Sequence, residues 1–235
     1  MQILEGFSKF APFTPKSPYF IRRWDEVSGR FSAEEVLLER LTRVKPRDVV
    51  SGHLPATPSI IRRVTRPDFL AYFIYRDPRD VVISHAFYAT DKAGNWKRSM
   101  YQHLPMEERI RLEITGFRDD RIEYPDIRKR FDDFDGWFGQ TGILTIRFEE
   151  LIHARWQTLG RIAGHFLQRV DTLPMPENDI VKILEKCIEP ERSPTFRSGK
   201  TGGWKQHFTN EHKSLFKDVA GDLLVKLGYE ENNDW

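Results

Sequence analysis

At 235 residues the chain is long enough for one domain with a full core, and a composition of 39% hydrophobic and 13% aromatic residues excludes a disordered or low-complexity protein. A formal net charge of +2 argues against bulk nucleic-acid binding, leaving clusters such as Arg62-Arg63 and Arg66 to serve a small anion. The single cysteine, Cys187, excludes an intrachain disulfide and reads as a buried structural thiol on a helix with Ile180, Ile183 and Leu184.

Residues 1–7 read as the tail of a helix with Ile3, Leu4 and Phe7 on one face. Pro12, Pro15 and Pro18 mark residues 11–20 as an extended loop. A helix is predicted to open at Ser32, with Glu35 completing a capping box ahead of Val36, Leu37, Leu38 and Leu41. Asp48 to Ser51 reads as a buried strand followed by the loop Gly52-His53-Leu54-Pro55. The next strand is Phe69 to Tyr75, after which Asp77 is the predicted N-cap and Pro78 the first residue of a helix reaching about Ala89. Residues 91–125 are the least legible, with a helix expected at 106–115. An aromatic-rich helix is expected over 126–139 and a strand over Ile143 to Phe148. Helices follow at 155–168, 178–188 and 209–227, the last closed by Gly228. Strands alternating with helices predict a parallel α/β sheet covered on both faces, in one domain spanning 1–235. No stretch approaches the ~20 apolar residues of a membrane span and no signal peptide is evident, so the expected compartment is the cytoplasm.

Two stretches attract anions. In "YRDPRDVVIS", Arg76 ends a strand and would offer a planar fork to phosphate oxygens at the ligand edge of the sheet, with Ser84 on the following helix. The simpler account pairs Arg76 and Arg79 with Asp77 and Asp80 on a solvated surface. In "FRSGKTGGWKQHFT", Arg197, Lys200 and Lys205 surround Gly199, Gly202 and Gly203, where glycines let backbone amides approach an anion. A plain Gly-rich surface loop is the simpler account there.

Together these segments resemble the sulfotransferases that use 3'-phosphoadenosine 5'-phosphosulfate (PAPS). Residues Tyr75 to Ser84 match the family's 3'-phosphate motif, and Arg197 to Thr209 match its C-terminal Gly-rich loop, with Ser198 in place of the usual basic residue. "SGHLP" resembles the segment carrying the catalytic histidine, and "RFEEL" the segment near the adenine, with Phe148 replacing Tyr. The resemblance implies a three-layer α/β/α fold with a central parallel sheet, like that of P-loop NTPases. It implies that Arg76, Ser84, Arg197, Ser198 and Gly199 hold the 3'-phosphate, that Phe148 stacks near the adenine, and that His53 is the general base drawing a proton from an acceptor hydroxyl or amine. PAPS would be the co-substrate and PAP the product, with no metal expected. The expected partner is a small-molecule or glycan acceptor, with no nucleic acid. A homodimer motif is incomplete: Lys205 and Thr209 fit, whereas Asn210 and Ser214 do not.

The family's Pro-Lys-Ser-Gly-Thr loop for the 5'-phosphosulfate has no match. "TPKSPYF" shares Pro-Lys-Ser but has Pro18 where Gly is needed, and "MQILEGF" resembles the helix that follows the loop in relatives. The chain therefore reads as N-terminally truncated relative to the family, binding the nucleotide weakly through its 3' end and transferring sulfate poorly. The alternative is a degenerate sulfotransferase-like module that binds nucleotide or a partner without catalysis. A nucleoside-phosphate kinase would need a G-x-x-x-x-G-K-[ST] loop, which the sequence lacks.

Overall fold

The computed structural model describes residues 2–10, 14–21, 23–25, 30–91, 95–118, 122–169, 175–193 and 199–235, with only the backbone described for 14–20, 24, 25 and 30. In chain order the elements are α1 (Gln2–Gly6), β1 (Thr14–Ile21), β2 (Trp24–Asp25), β3 (Arg30–Phe31), α2 (Glu34–Thr42), β4 (Asp48–Gly52), α3 (Pro58–Val64), β5 (Ala71–Tyr75), α4 (Pro78–Asp91), α5 (Arg98–Tyr101), α6 (Met106–Thr115), β6 (Phe117–Arg118), β7 (Glu123–Tyr124), α7 (Ile127–Asp132), β8 (Ile143–Arg147), α8 (Phe148–His153), α9 (Arg155–Leu167), α10 (Glu177–Lys186), α11 (Asn210–Ala220) and α12 (Leu223–Lys226). They fall into two compact units, the first comprising residues 1–25, 31–75 and 134–199, the second 26–30, 76–133 and 200–235.

The first unit carries the parallel strands. β5 pairs with β8 in regular register from Ala71↔Ile143 to Tyr75↔Arg147. β1 pairs with β4 from Thr14↔Asp48 to Ile21↔Gly52, with a register shift between Pro15 and Phe20. The stretch 11–20 was expected to be an extended loop because its prolines cannot continue a helix; residues 14–21 instead pair with β4 as a strand whose register is interrupted. Helices α9 and α10 cover β8 with Leu159, Ile162, Ala163, Phe166, Ile180 and Leu184, all nearly free of solvent. Phe7 stacks on Phe166 at 4.1 Å, tying α1 to this layer. A second cluster joins Ile21, Leu37, Leu41, Ile60, Val64 and Trp137.

The second unit is mainly helical. α4 packs on α6, which packs on α11. Val82, Ile83, Ala86, Ile110, Ile114 and Phe216 supply its interior at 0–1% exposure. Its short β6–β7 hairpin starts at Gly116, where φ is 65° and a Cβ would collide with the Tyr124 carbonyl, so no other residue fits without backbone movement.

Several expectations are corrected. The capping box at Ser32 does not form: Ala33 is the N-cap, because the Ser32 amide is committed to the Arg23 carbonyl at 2.6 Å and the chain stays extended one residue longer. Helix α3 was not predicted, although Thr57 caps it and Pro58 opens it. The expected 126–139 helix is the shorter α7 followed by a 3-10 turn at Asp135–Trp137. Residues 209–227 are two helices separated at Gly221, whose φ of 56° no continuing helix allows. Cys187 is half-buried at the C-cap of α10 rather than enclosed.

Candidate nucleotide and catalytic site

Arg76 immediately follows β5, whose last residue Tyr75 is pinned in register opposite Arg147. In the second unit, the Arg76 guanidinium donates to the Lys200 carbonyl at 2.8 Å and lies 3.6 Å from the Asp80 carboxylate. Asp80 is 2% exposed and accepts from the backbone amides of Gly202 at 2.7 Å and Trp204 at 3.0 Å. The two anion-seeking stretches, more than a hundred residues apart in sequence, are thus joined directly. Gly202 has φ 71° and a Cβ there would meet nothing within 4 Å, so the glycine serves the backbone turn. Ser84 lies farther along α4, half-buried.

The simpler account of this stretch is half right. Arg79 does pair with Asp77 and Arg76 with Asp80, but Asp77, Arg79 and Asp80 are buried and Arg76 is half-buried. Arg79 is 3% exposed, and its Nε and Nη2 grip both Asp77 oxygens at 2.8–3.2 Å while Nη1 donates to Glu230 at 2.5 Å. Its guanidinium carbon sits 3.9 Å from the centroid of Trp204 and 4.6 Å from that of Trp235. Burial acts to lower the Arg79 pKa, and the carboxylates of Asp77 and Glu230 outweigh it, so the guanidinium stays charged. The first free amide of α4, that of Arg79, is taken by the Asp77 side chain at 2.9 Å. The start of α4 is thus closed by its own Asp77, while Asp80 holds the amides of Gly202 and Trp204.

The first unit carries the remaining predicted residues. His53 follows β4 on an exposed loop. Although His53 itself is exposed, partial desolvation by nearby protein atoms, then the charge of Arg23, hold its imidazole below the ordinary value, which favours the neutral, proton-accepting form at pH 7. The next residue, Leu54, gives its carbonyl to the Trp137 indole at 3.0 Å, which fixes the loop. Phe148, expected at the end of a strand, instead begins α8. Beside it the Arg147 side chain donates to the Tyr75 hydroxyl at 2.7 Å, and its amide donates to Glu150 at 3.1 Å. Gly199 adopts φ 61°. Arg197 and Ser198 lie outside the described residues.

Sequence reasoning missed a buried ionic cluster in the second unit. Glu113, at 0% exposure, accepts from Tyr101 at 2.8 Å, Tyr124 at 2.9 Å and Arg130 at 3.0 Å, and pairs with Lys97. Burial acts to raise its pKa and is outweighed by the charge of Lys97, contact with His85 and the charge of Arg130, which hold it well below the usual carboxylate range. His85, adjacent to Ser84, accepts from Arg130 at 3.1 Å; burial holds its imidazole below the ordinary value.

The model of the sulfotransferase domain family matches residues 13–228, and the chain belongs to that family. Mouse sulfotransferase SULT7A1 complexed with PAP superposes with a TM-score of 0.63 at 15% identity, covering 97% of this chain and 83% of that one. Retinol dehydratase in complex with androsterone and the inactive cofactor PAP gives 0.56 at 16% identity, covering 80% of this chain and 57% of that one. The retinol complex of the same enzyme gives 0.56 at 17% identity over the same shares. These likenesses establish the α/β sulfotransferase fold with its central parallel sheet. No curated protein matched the sequence. Among the described residues no helix is long and apolar enough to cross a membrane, and no cluster of His, Cys, Asp and Glu could hold a metal ion.

Proposed function

We propose that this single sulfotransferase domain uses PAPS as sulfuryl donor and a small hydroxyl or amine compound as acceptor. The observation that carries the reading is the direct link between Arg76 and Lys200, reinforced by Asp80 holding the Gly202 and Trp204 amides. The donor set suits a phosphate: a guanidinium, a serine hydroxyl on α4, and a loop bent by left-handed glycines. In this reading Arg76, Ser84, Arg197, Ser198 and Gly199 hold the 3'-phosphate and Phe148 offers an aromatic face toward the adenine. PAPS supplies an activated sulfuryl group whose leaving group is PAP. His53 accepts the acceptor's proton as its oxygen or nitrogen attacks, and its lowered pKa keeps it in the accepting form. The stretch "TPKSPYFI", which shares Pro-Lys-Ser with the family's 5'-phosphosulfate loop, forms strand β1 instead.

The neighbours' complexes with PAP favour that nucleotide, and those with androsterone and retinol favour an apolar acceptor. Phe87 and Tyr88 are candidates to meet it, with Phe87 edge-on to His207 at 5.4 Å and Tyr88 38% exposed. The test is calorimetric titration with PAP and 5'-AMP, followed by a screen of phenols, alcohols and sugars for sulfate transfer from PAPS. Preference for PAP supports the reading; equal affinity for both nucleotides would overturn it. A binding module without turnover would show the PAP preference and no sulfate transfer to any acceptor.

A further inference from the structure

The segment Glu230–Trp235 is absent from the motifs that point to nucleotide chemistry, yet it packs on Arg79 and Trp204. Trp235 stands edge-on to Trp204 at 5.6 Å and to Phe216 at 5.8 Å, and its ring covers one side of the Arg79 guanidinium. Lys217 lies 5.1 Å from the same ring. Glu230 takes the one Arg79 nitrogen that Asp77 leaves. Arg79 is thereby enclosed by two carboxylates and two indoles, and one of those indoles, Trp204, belongs to the loop whose amides Asp80 holds.

We propose that Trp235, with Glu230, is a positioning residue for 3'-phosphate recognition. The path consists of direct contacts: Trp235 packs Trp204 and Arg79, Trp204 hangs by its amide from Asp80, and Asp80 faces Arg76, whose guanidinium also holds the Lys200 carbonyl. Trp204 is 7% exposed, and losing the Trp235 edge opens it to water and frees the loop to move away from Arg76. Preorganisation of donors is what a phosphate site needs, because a mobile loop must be ordered at the expense of binding. A Trp that merely fills a core would be indifferent to which nucleotide is bound; a Trp that sets Arg76 and the 200–204 loop acts through the 3'-phosphate alone.

The proposal rests on the reading that this loop and Arg76 take the 3'-phosphate, and the experiment separates the two. Affinities for PAP and for 5'-AMP, which lacks the 3'-phosphate, are measured by calorimetry for the full chain and for W235A, W235F and E230Q, each checked by thermal unfolding. Expected is at least a tenfold loss of PAP affinity in W235A with 5'-AMP affinity unchanged, recovery in W235F, and a smaller loss in E230Q. A wild-type chain that does not prefer PAP overturns the site reading and the proposal with it. A wild-type preference that persists undiminished in W235A, or equal weakening of both nucleotides, overturns the proposal alone. Should W235A fail to fold, the E230Q ratio decides, and an unchanged ratio overturns it.

Discussion

Asp80 accepts a 2.7 Å hydrogen bond from the backbone amide of Gly202, binding the start of α4 to a loop that arrives more than a hundred residues later. The same carboxylate takes the Trp204 amide and faces Arg76, so one buried charge organises three donors. Replacing it tests whether that organisation matters to the ligand. Asp80→Ala is expected to weaken PAP binding by roughly 10- to 100-fold, since hydrogen bonds to a charged group contribute about 1.5–3 kcal/mol. Asp80→Asn, which keeps one acceptor oxygen, should lose less. Titration calorimetry reads both, and wild-type affinity in Asp80→Ala would refute a role for the carboxylate.

His53→Ala should leave PAP affinity within about twofold of wild type and lower the rate of sulfate transfer by about 10²–10⁴-fold, the usual contribution of a general base. The imidazole is held below its ordinary value, so its proton-accepting form persists as the medium is acidified through the unperturbed value of about 6.5. The acidic limb of the kcat/KM profile is expected to lie below that pH and to vanish in the variant. A limb centred above it would contradict the assignment.

Glu113 anchors the second unit against acid. Its folded pKa is depressed, so its contribution is present above the unfolded value of roughly 4.3 and is lost as pH falls through the folded value. His85 adds a second loss at higher pH: its folded pKa is also depressed, so the folded state resists the proton that the unfolded chain takes up below about 6.5. Denaturant midpoints measured from pH 7 downward should fall in two stages. Glu113→Ala should cost about 3–5 kcal/mol at pH 7, because Lys97 and Arg130 lose their buried partner, and should abolish the more acidic stage.

Gly202→Ala isolates backbone strain from packing. A Cβ there meets nothing within 4 Å, and φ is 71°, so the cost is expected near the 1–2 kcal/mol of a left-handed non-glycine residue. Gly116→Ala, at a similar φ, would add collision with the Tyr124 carbonyl and should be far more damaging. Thermal unfolding of the two variants distinguishes them, and equal losses would contradict this account.

The strand-to-helix junction at residues 75–84 was legible because its signals are local: an apolar run, Asp77 as cap, Pro78 at the first helical position. The link from Arg76 to the glycine loop was legible only as two separate anion-seeking stretches. Burial was not. Arg79 and Asp80 carry charges that periodicity assigns to solvent, and their partners Glu230, Gly202 and Trp204 lie more than a hundred residues away. Glu113 was hidden for the same reason: an acid within a helix of mixed charge reads as an exposed face until Lys97, Tyr101, Tyr124 and Arg130 converge on it. Strand β1 was missed because its prolines, which cannot continue a helix, read as an extended loop, and only tertiary pairing with β4 makes it a strand. Helix α3 carried a readable Thr57-Pro58 start, and seven residues is short for a periodic signal.

Trp204 and Trp235 stand 5.6 Å apart with their ring planes at 87°. Two indoles fixed this closely in an asymmetric setting couple their electronic transitions, and the coupling reverses or disappears when either ring turns. The glycine loop therefore carries an optical gauge of its own order: a near-ultraviolet circular dichroism contribution that Trp235→Phe should diminish. Identical near-ultraviolet spectra for the two proteins would mean that the pair is not rigid in solution.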